Sequence, residues 1–233
     1  MRFEHLQDLI ASEELHFTRA DRFTQDENEG IPPEDYLRRV LGTRRFQPED
    51  ERTLNHHIGT LAQVRETFYV QCWTLFRHEK LEMWDKFAPT NGVAICSRYE
   101  LLEAAMDAML DTTHVGLMRY GEEHLQTVNI LQFINTKRKH FEDECEVRAI
   151  VECPHLFSGN RHYASNNYPQ RRPLCAAPRW VPDFKRRRID LKALLIAIVV
   201  SPFASGDLLE AAKAWAEARN HSLQVRRSTL AIG

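Results

Sequence analysis

Four residues at the ends of predicted strands have the types that nucleotide chemistry needs: Arg19, Ser97, Glu144 and Glu146. A carboxylate beside a ribose stabilises developing positive charge in an oxocarbenium-like transition state, and an arginine clamps phosphate through two parallel hydrogen bonds. Trp73, Trp84 or Tyr99 would supply an aromatic face for stacking. The densest chemistry lies in Lys137–Val151, where a charged helical stretch runs into a strand that begins with acids and ends apolar. On an extended chain Glu144, Glu146, Arg148 and Ile150 share one face, and Cys145, Val147, Ala149 and Val151 the other. Charged side chains are rarely buried unless paired. The strand therefore either opens onto a cleft or forms its own ion-pair network from Glu144, Glu146, Arg19 and Arg148.

A second concentration of chemistry is basic. Ser158–Arg188 holds Arg161, Arg171, Arg172, Arg179, Lys185, Arg186, Arg187 and Arg188 against Asp183 alone, a net of +7, while the rest of the chain carries −9. With Tyr163, Tyr168 and Trp180 interleaved, this composition suits a surface that tracks phosphates and stacks bases. It equally suits a solvated loop lying on the protein's own acidic surface. The whole-chain charge of −2 excludes a protein that grips nucleic acid with its entire surface.

The elements that must position these residues alternate. A short opening helix over Leu6–Ile10 precedes a strand at Leu15–Thr18, and Thr24–Pro33 is a polar loop. Proline followed by acids opens helices at Pro33 and at Pro48, the second running to about Arg65. Strands follow at Phe68–Thr74, Val93–Ser97 and Val115–Tyr120, with helices holding Leu81–Phe87, Tyr99–Leu110 and Leu125–Lys139. Cys153–Arg188 is irregular and too long for a mere connection. A strand over Leu194–Ser201, a helix over Asp207–Arg219 and a strand at Leu223–Arg226 close the chain. No glycine-rich phosphate loop follows the first strand, which excludes the Rossmann and P-loop readings. The expected architecture is α+β: a single domain over 1–233 with a mixed sheet, surrounding helices and a long basic loop.

Five scattered cysteines without a CxxC pair and an N-terminus without an apolar core point to a soluble cytoplasmic protein with no membrane contact. Cys153-x-His155, His162 and Cys175 match no common zinc spacing, so no metal is assigned.

Several separated stretches match one pattern: Leu15-x-Phe17-Thr18-Arg19-x-x-x-Phe23 with Glu29-Gly30; Cys72-Trp73-Thr74; Met83-Trp84-x-x-Phe87; Gly92-Val93-Ala94-Ile95; Lys137 with Glu144-x-Glu146-x-Arg148; and Ile198-Val199-Val200-Ser201-Pro202 with Ser228-x-Leu230. Together they resemble the bacterial family catalogued as domain of unknown function 2971. The resemblance implies a single cytoplasmic domain, suspected of a role in phage defence and without an agreed activity. The chain departs from the pattern at Thr24–Asn28, where relatives more often carry an Asn-Asp-Pro turn. Arg19, Ser97 and Glu144-Cys145-Glu146 are similar to the Arg, Ser-x-Ser, Glu-x-Glu signature of ADP-ribosyltransferases, although Arg98-Tyr99 replaces the second serine. That similarity implies NAD⁺ as substrate, for transfer or hydrolysis. Glu146-Val147-Arg148 also resembles the acidic strand of Mg²⁺-dependent nucleases, with Arg148 in place of the lysine. A non-enzymatic sensor of nucleic acid or a phage component is the alternative. Expected binding residues are Trp73, Trp84, Lys137, Arg148, Arg171, Arg172, Arg186, Arg187 and Arg188.

Overall fold

In the computed structural model the described residues are 1–23, 29–40, 56, 59–61, 63–125, 129–153, 182–218 and 223–230. They gather into two compact units that interleave in sequence: Met1–His16, Leu75–Leu110 and Arg186–Gly233 in the first, Phe17–Thr74 and Asp111–Lys185 in the second. The architecture is α+β, as the alternation of elements implies.

In the first unit, α1 (Phe3–Ser12) buries Leu6, Leu9 and Ile10, one face of a helix, and stops where Glu13 turns left-handed (φ 54°). Helices α3 (Leu81–Phe87), α4 (Tyr99–Asp107), α6 (Leu191–Leu194) and α7 (Gly206–Ala218) share this unit with strands β3 (Val93–Cys96), β9 (Ala197–Val200) and β10 (Gln224–Arg227). The sheet order is β10-β9-β3, parallel on one side and antiparallel on the other. Every residue of β9 is buried, which is what its unbroken apolar sequence requires of a central strand. The expected strand over Leu194–Ser201 begins three residues late. Asp190 accepts hydrogen bonds from the Lys192 and Ala193 N–H groups and caps α6, drawing Leu191–Leu194 into a helix.

In the second unit lie α2 (Glu34–Val40), α5 (Ile130–Ile134), β2 (Phe68–Thr74), β4 (Thr112–Leu117) and β7 (Glu146–Glu152). A separate parallel pair is formed by β5 (Arg119–Tyr120) and β6 (Thr136–Lys137). The strands β1 (Glu14–Arg19) and β8 (Phe184–Arg188) each run across a boundary of the two units, in a sheet ordered β4-β7-β2-β1-β8. Phe68, Val70, Ile134 and Ile150 form the core around β2 and β7.

Three further expectations change. The helix expected over Leu125–Lys139 is only one turn, because Asn129 caps it and the chain turns extended at Thr136 to pair with β5. The strand over Val115–Tyr120 is two strands, with buried Met118 between them. The irregular stretch ends before Arg188, since Phe184–Arg188 is regular strand. Residues 154–181, and most of the helix expected from Pro48, lie outside the described residues.

Candidate functional site

The acidic strand does not begin where alternation places it. Lys139–Glu144 is a 3₁₀ helix, Cys145 takes a left-handed conformation (φ 42°), and β7 starts only at Glu146. The bend brings both carboxylates to one ammonium: Lys137 Nζ on β6 donates to Glu144 Oε2 at 2.9 Å and to Glu146 Oε2 at 2.7 Å. Glu146 and Arg148, two apart on one strand face, pair directly, with Arg148 Nε 2.6 Å from Glu146 Oε1. The rest of the guanidinium donates to the Ile134 carbonyl and to Glu29, and its Cζ lies 5.2 Å from the Phe23 ring centroid. All five charged residues are buried. Burial opposes ionisation of Glu146, but Arg148 and Lys137 outweigh it and hold this carboxyl down at about 2. At Glu29 burial wins over Arg148 and pushes the carboxyl up.

Arg19 is not part of this cluster. It stands opposite Tyr69, and Tyr69 stands opposite Val151. Residues directly opposite share a face, and Val151 is three positions from Arg148, so Arg19 lies on the other face and about 10 Å along the strand. There its Nε meets Asp21 at 2.5 Å and its Nη2 meets Asp183 at 3.2 Å, while Nη1 and the Tyr69 hydroxyl both donate to the Pro182 carbonyl. Glu66 belongs to this second cluster. Burial and the nearby Asp21 raise its carboxyl to about 7 against the pull of Arg19 and Arg65.

Ser97 falls in the first unit, half-buried, with its hydroxyl donating to the Leu194 carbonyl at 2.7 Å. Trp84 is core: it packs with Ala88 and Val199, and its indole N–H donates to Glu79 at 3.2 Å. Glu79 also receives Arg226 at 2.8 Å. Burial opposes its ionisation, but donors from Ser228, Arg226 and Trp84 hold Glu79 below the usual carboxylate range. Trp73 is half-buried and donates to Gln71. Phe87 is exposed. Arg171 and Arg172 lie outside the described residues. Arg186, Arg187 and Arg188 stand on β8, with Arg186 and Arg188 exposed and Arg187 half-buried.

The transferase constellation of Arg19 with Glu144 and Glu146 is therefore not assembled on one face. Lys137 and Arg148, expected to bind ligand, are consumed in pairing the carboxylates. That pairing also takes up the carboxylates that the Mg²⁺ reading needs at this strand, and among the described residues no three His, Cys, Asp or Glu side chains form a metal-binding group. Sequence reasoning missed Glu29, Asp21, Glu66 and Glu79. Only Glu29 carried a signal, its place beside Gly30 in the family-like pattern, where Gly30 takes a positive φ of 75°. No helix among the described residues is long and apolar enough to cross a membrane. Comparison with family models, with curated proteins and with solved structures finds no match to this chain.

Proposed function

We propose that this chain is a non-enzymatic module that binds nucleic acid through the phosphate backbone, with Arg186, Arg187 and Arg188 as the contact residues. One observation carries the reading: the basic run is held on β8, an edge strand of its sheet, with Arg186 and Arg188 exposed two positions apart. That spacing is about 6.6 Å along an extended strand, close to twice the ~3.4 Å rise per phosphate of one nucleic-acid strand. Arg186 is paired with Asp8 at 2.8 Å, but both side chains are about half exposed, and an exposed pair of this kind contributes little and exchanges readily for phosphate. The nucleotide-handling alternative asks more of the protein, because Glu146 would have to leave two buried cations before it could face a sugar.

Fluorescence anisotropy with labelled single-stranded and duplex oligonucleotides tests the proposal across a salt series. The affinity should fall with salt at a log–log slope of about −0.7 to −0.9 per phosphate contact. Replacing Arg186, Arg187 and Arg188 together by alanine should flatten the slope by roughly two units and leave sequence preference unchanged. An absence of saturable binding at low salt overturns the proposal.

A further inference from the structure

Helix α4 carries two apolar stripes. Leu102 and Met106 are buried beneath it, whereas Leu101, Ala104, Ala105, Ala108 and Met109 follow the i, i+3, i+4, i+7, i+8 spacing of a second face. This second face, running just past the helix end, is left half-buried or exposed and lines a groove of about 440 Å³ with Ala193 of α6 across from it. Alanines at 104, 108 and 193 leave the space that larger side chains would fill. At one rim stands Arg188, exposed, with no ion pair or side-chain hydrogen bond among the described residues. Asp190 also lines the groove, but its carboxylate is engaged in capping α6.

We propose that this groove binds a small amphipathic anion, an alkyl chain ending in a carboxylate or phosphate, with the chain along α4 and the head on Arg188. The volume lies within the roughly 300–1,000 Å³ of small-molecule sites, whereas a stable protein interface engages about 20–30 residues a side. Nine residues line this groove, so a small ligand fits it better than a partner chain. Its apolar wall carries Arg188, unpaired among the described residues, and Asp190, whose carboxylate faces the Lys192 and Ala193 N–H groups, so Arg188 is the charge left to complement a single negative head on an otherwise apolar body. The stripe from Leu101 to Met109 spans about 12 Å at the helical rise, which suits a chain of roughly ten carbons. The proposal goes beyond the nucleic-acid reading and stands without it.

Isothermal titration of the full chain with decanoate, decyl phosphate, decanol, decylamine and hexanoate tests it. Decanoate or decyl phosphate should bind saturably at one site, and which of the two binds tighter identifies the head group. Affinity should drop about fourfold for each methylene removed, and decylamine should not bind. Arg188→Ala should weaken the anions about tenfold or more while leaving decanol unaffected. Ala104→Phe, at an exposed position that does not disturb the core, should block the groove for all of them. Arg186→Ala with Arg187→Ala should leave anion binding unchanged. Equal binding of decylamine, unchanged binding in Ala104→Phe, or no saturation by either anion overturns the proposal.

Discussion

Lys137→Met isolates the electrostatics of the buried cluster because methionine fills similar space and removes only the ammonium. The lysine bridges Glu144 and Glu146 at 2.9 and 2.7 Å and is 7% exposed. Without it, Arg148 still pairs with Glu29 and Glu146, but Glu144 and Glu146 lose the ammonium they share. Removing one partner of a buried ion pair typically costs about 3–5 kcal/mol, a large share of a domain's stability. The cost should depend on pH, with opposite sign to the parent. In the parent, Glu146 sits at about 2 rather than 4.5, a stabilisation of about 3 kcal/mol that is present above pH 4.5 and lost as pH falls towards 2. In the variant Glu29, already pushed up by burial in the parent, loses the opposing pull of Lys137 and rises further, so relative to the parent the variant should recover stability as pH falls from 7.5 to 5. Urea unfolding followed by tryptophan fluorescence at pH 7.5 and pH 5 measures both. A variant as stable as the parent at pH 7.5, or one whose deficit is the same at both pH values, would refute the reasoning and show the cluster to be solvated.

Two further substitutions probe the carboxylates directly. Glu146→Gln keeps the shape but strips Arg148 and Lys137 of their shared counter-charge, and the melting temperature should fall with a loss of order 2–4 kcal/mol. A folded Glu146→Gln with the parent's melting temperature that had lost an NAD⁺-consuming activity of the parent would instead restore the transferase reading. Glu66→Gln should stabilise. The parent carboxyl lies at about 7 in the fold against 4.5 unfolded, so its neutral form is favoured and the penalty grows as pH rises between those values. Glutamine has no proton to lose, and the variant should gain about 1–3 kcal/mol above pH 7 and nothing below pH 4. An unchanged difference across that range in thermal unfolding would show Glu66 to be solvated.

Periodicity made the long elements readable. The stripe Leu6, Leu9, Ile10 marks α1, and the uninterrupted Ala197–Val200 marks a strand buried on both faces. Where a single polar side chain decides, periodicity fails. Asn129 starts a one-turn helix and Asp190 another, and each shifts a boundary that apolar spacing cannot locate. The charged cluster was half legible. Alternation within one strand correctly places Glu146 beside Arg148, but alternation assumes extended backbone, and the left-handed Cys145 breaks it just before the strand. Arg19 shows the other limit. Strand parity relates residues within one strand, whereas the face on which two strands present their charges depends on register, which only the paired residues Arg19, Tyr69 and Val151 reveal. Glu29, 119 residues from Arg148 in sequence, was marked only by its place beside Gly30, which does not point to Arg148 as its partner.

The cluster's composition explains why its acids differ. Glu29, Glu144 and Glu146 face Arg148 and Lys137, an excess of one negative charge in a site from which water is nearly excluded. Between Glu146 and Glu29, burial prevails on the acid with the smaller share of the cations. Glu146 touches both cations and is held at about 2, whereas Glu29 touches only Arg148 and is pushed upward. The same division separates this arrangement from a catalytic carboxylate. A residue that stabilises a developing cation on a substrate must have attraction left to give, and Glu146 directs both of its oxygens at protein cations. The exposed arginines of β8 are the reverse case: Arg188 has no partner among the described residues, and Arg186 has only an exposed one. Positive charge available to a ligand therefore lies on that strand, while the acids that first suggest chemistry serve the interior of the fold.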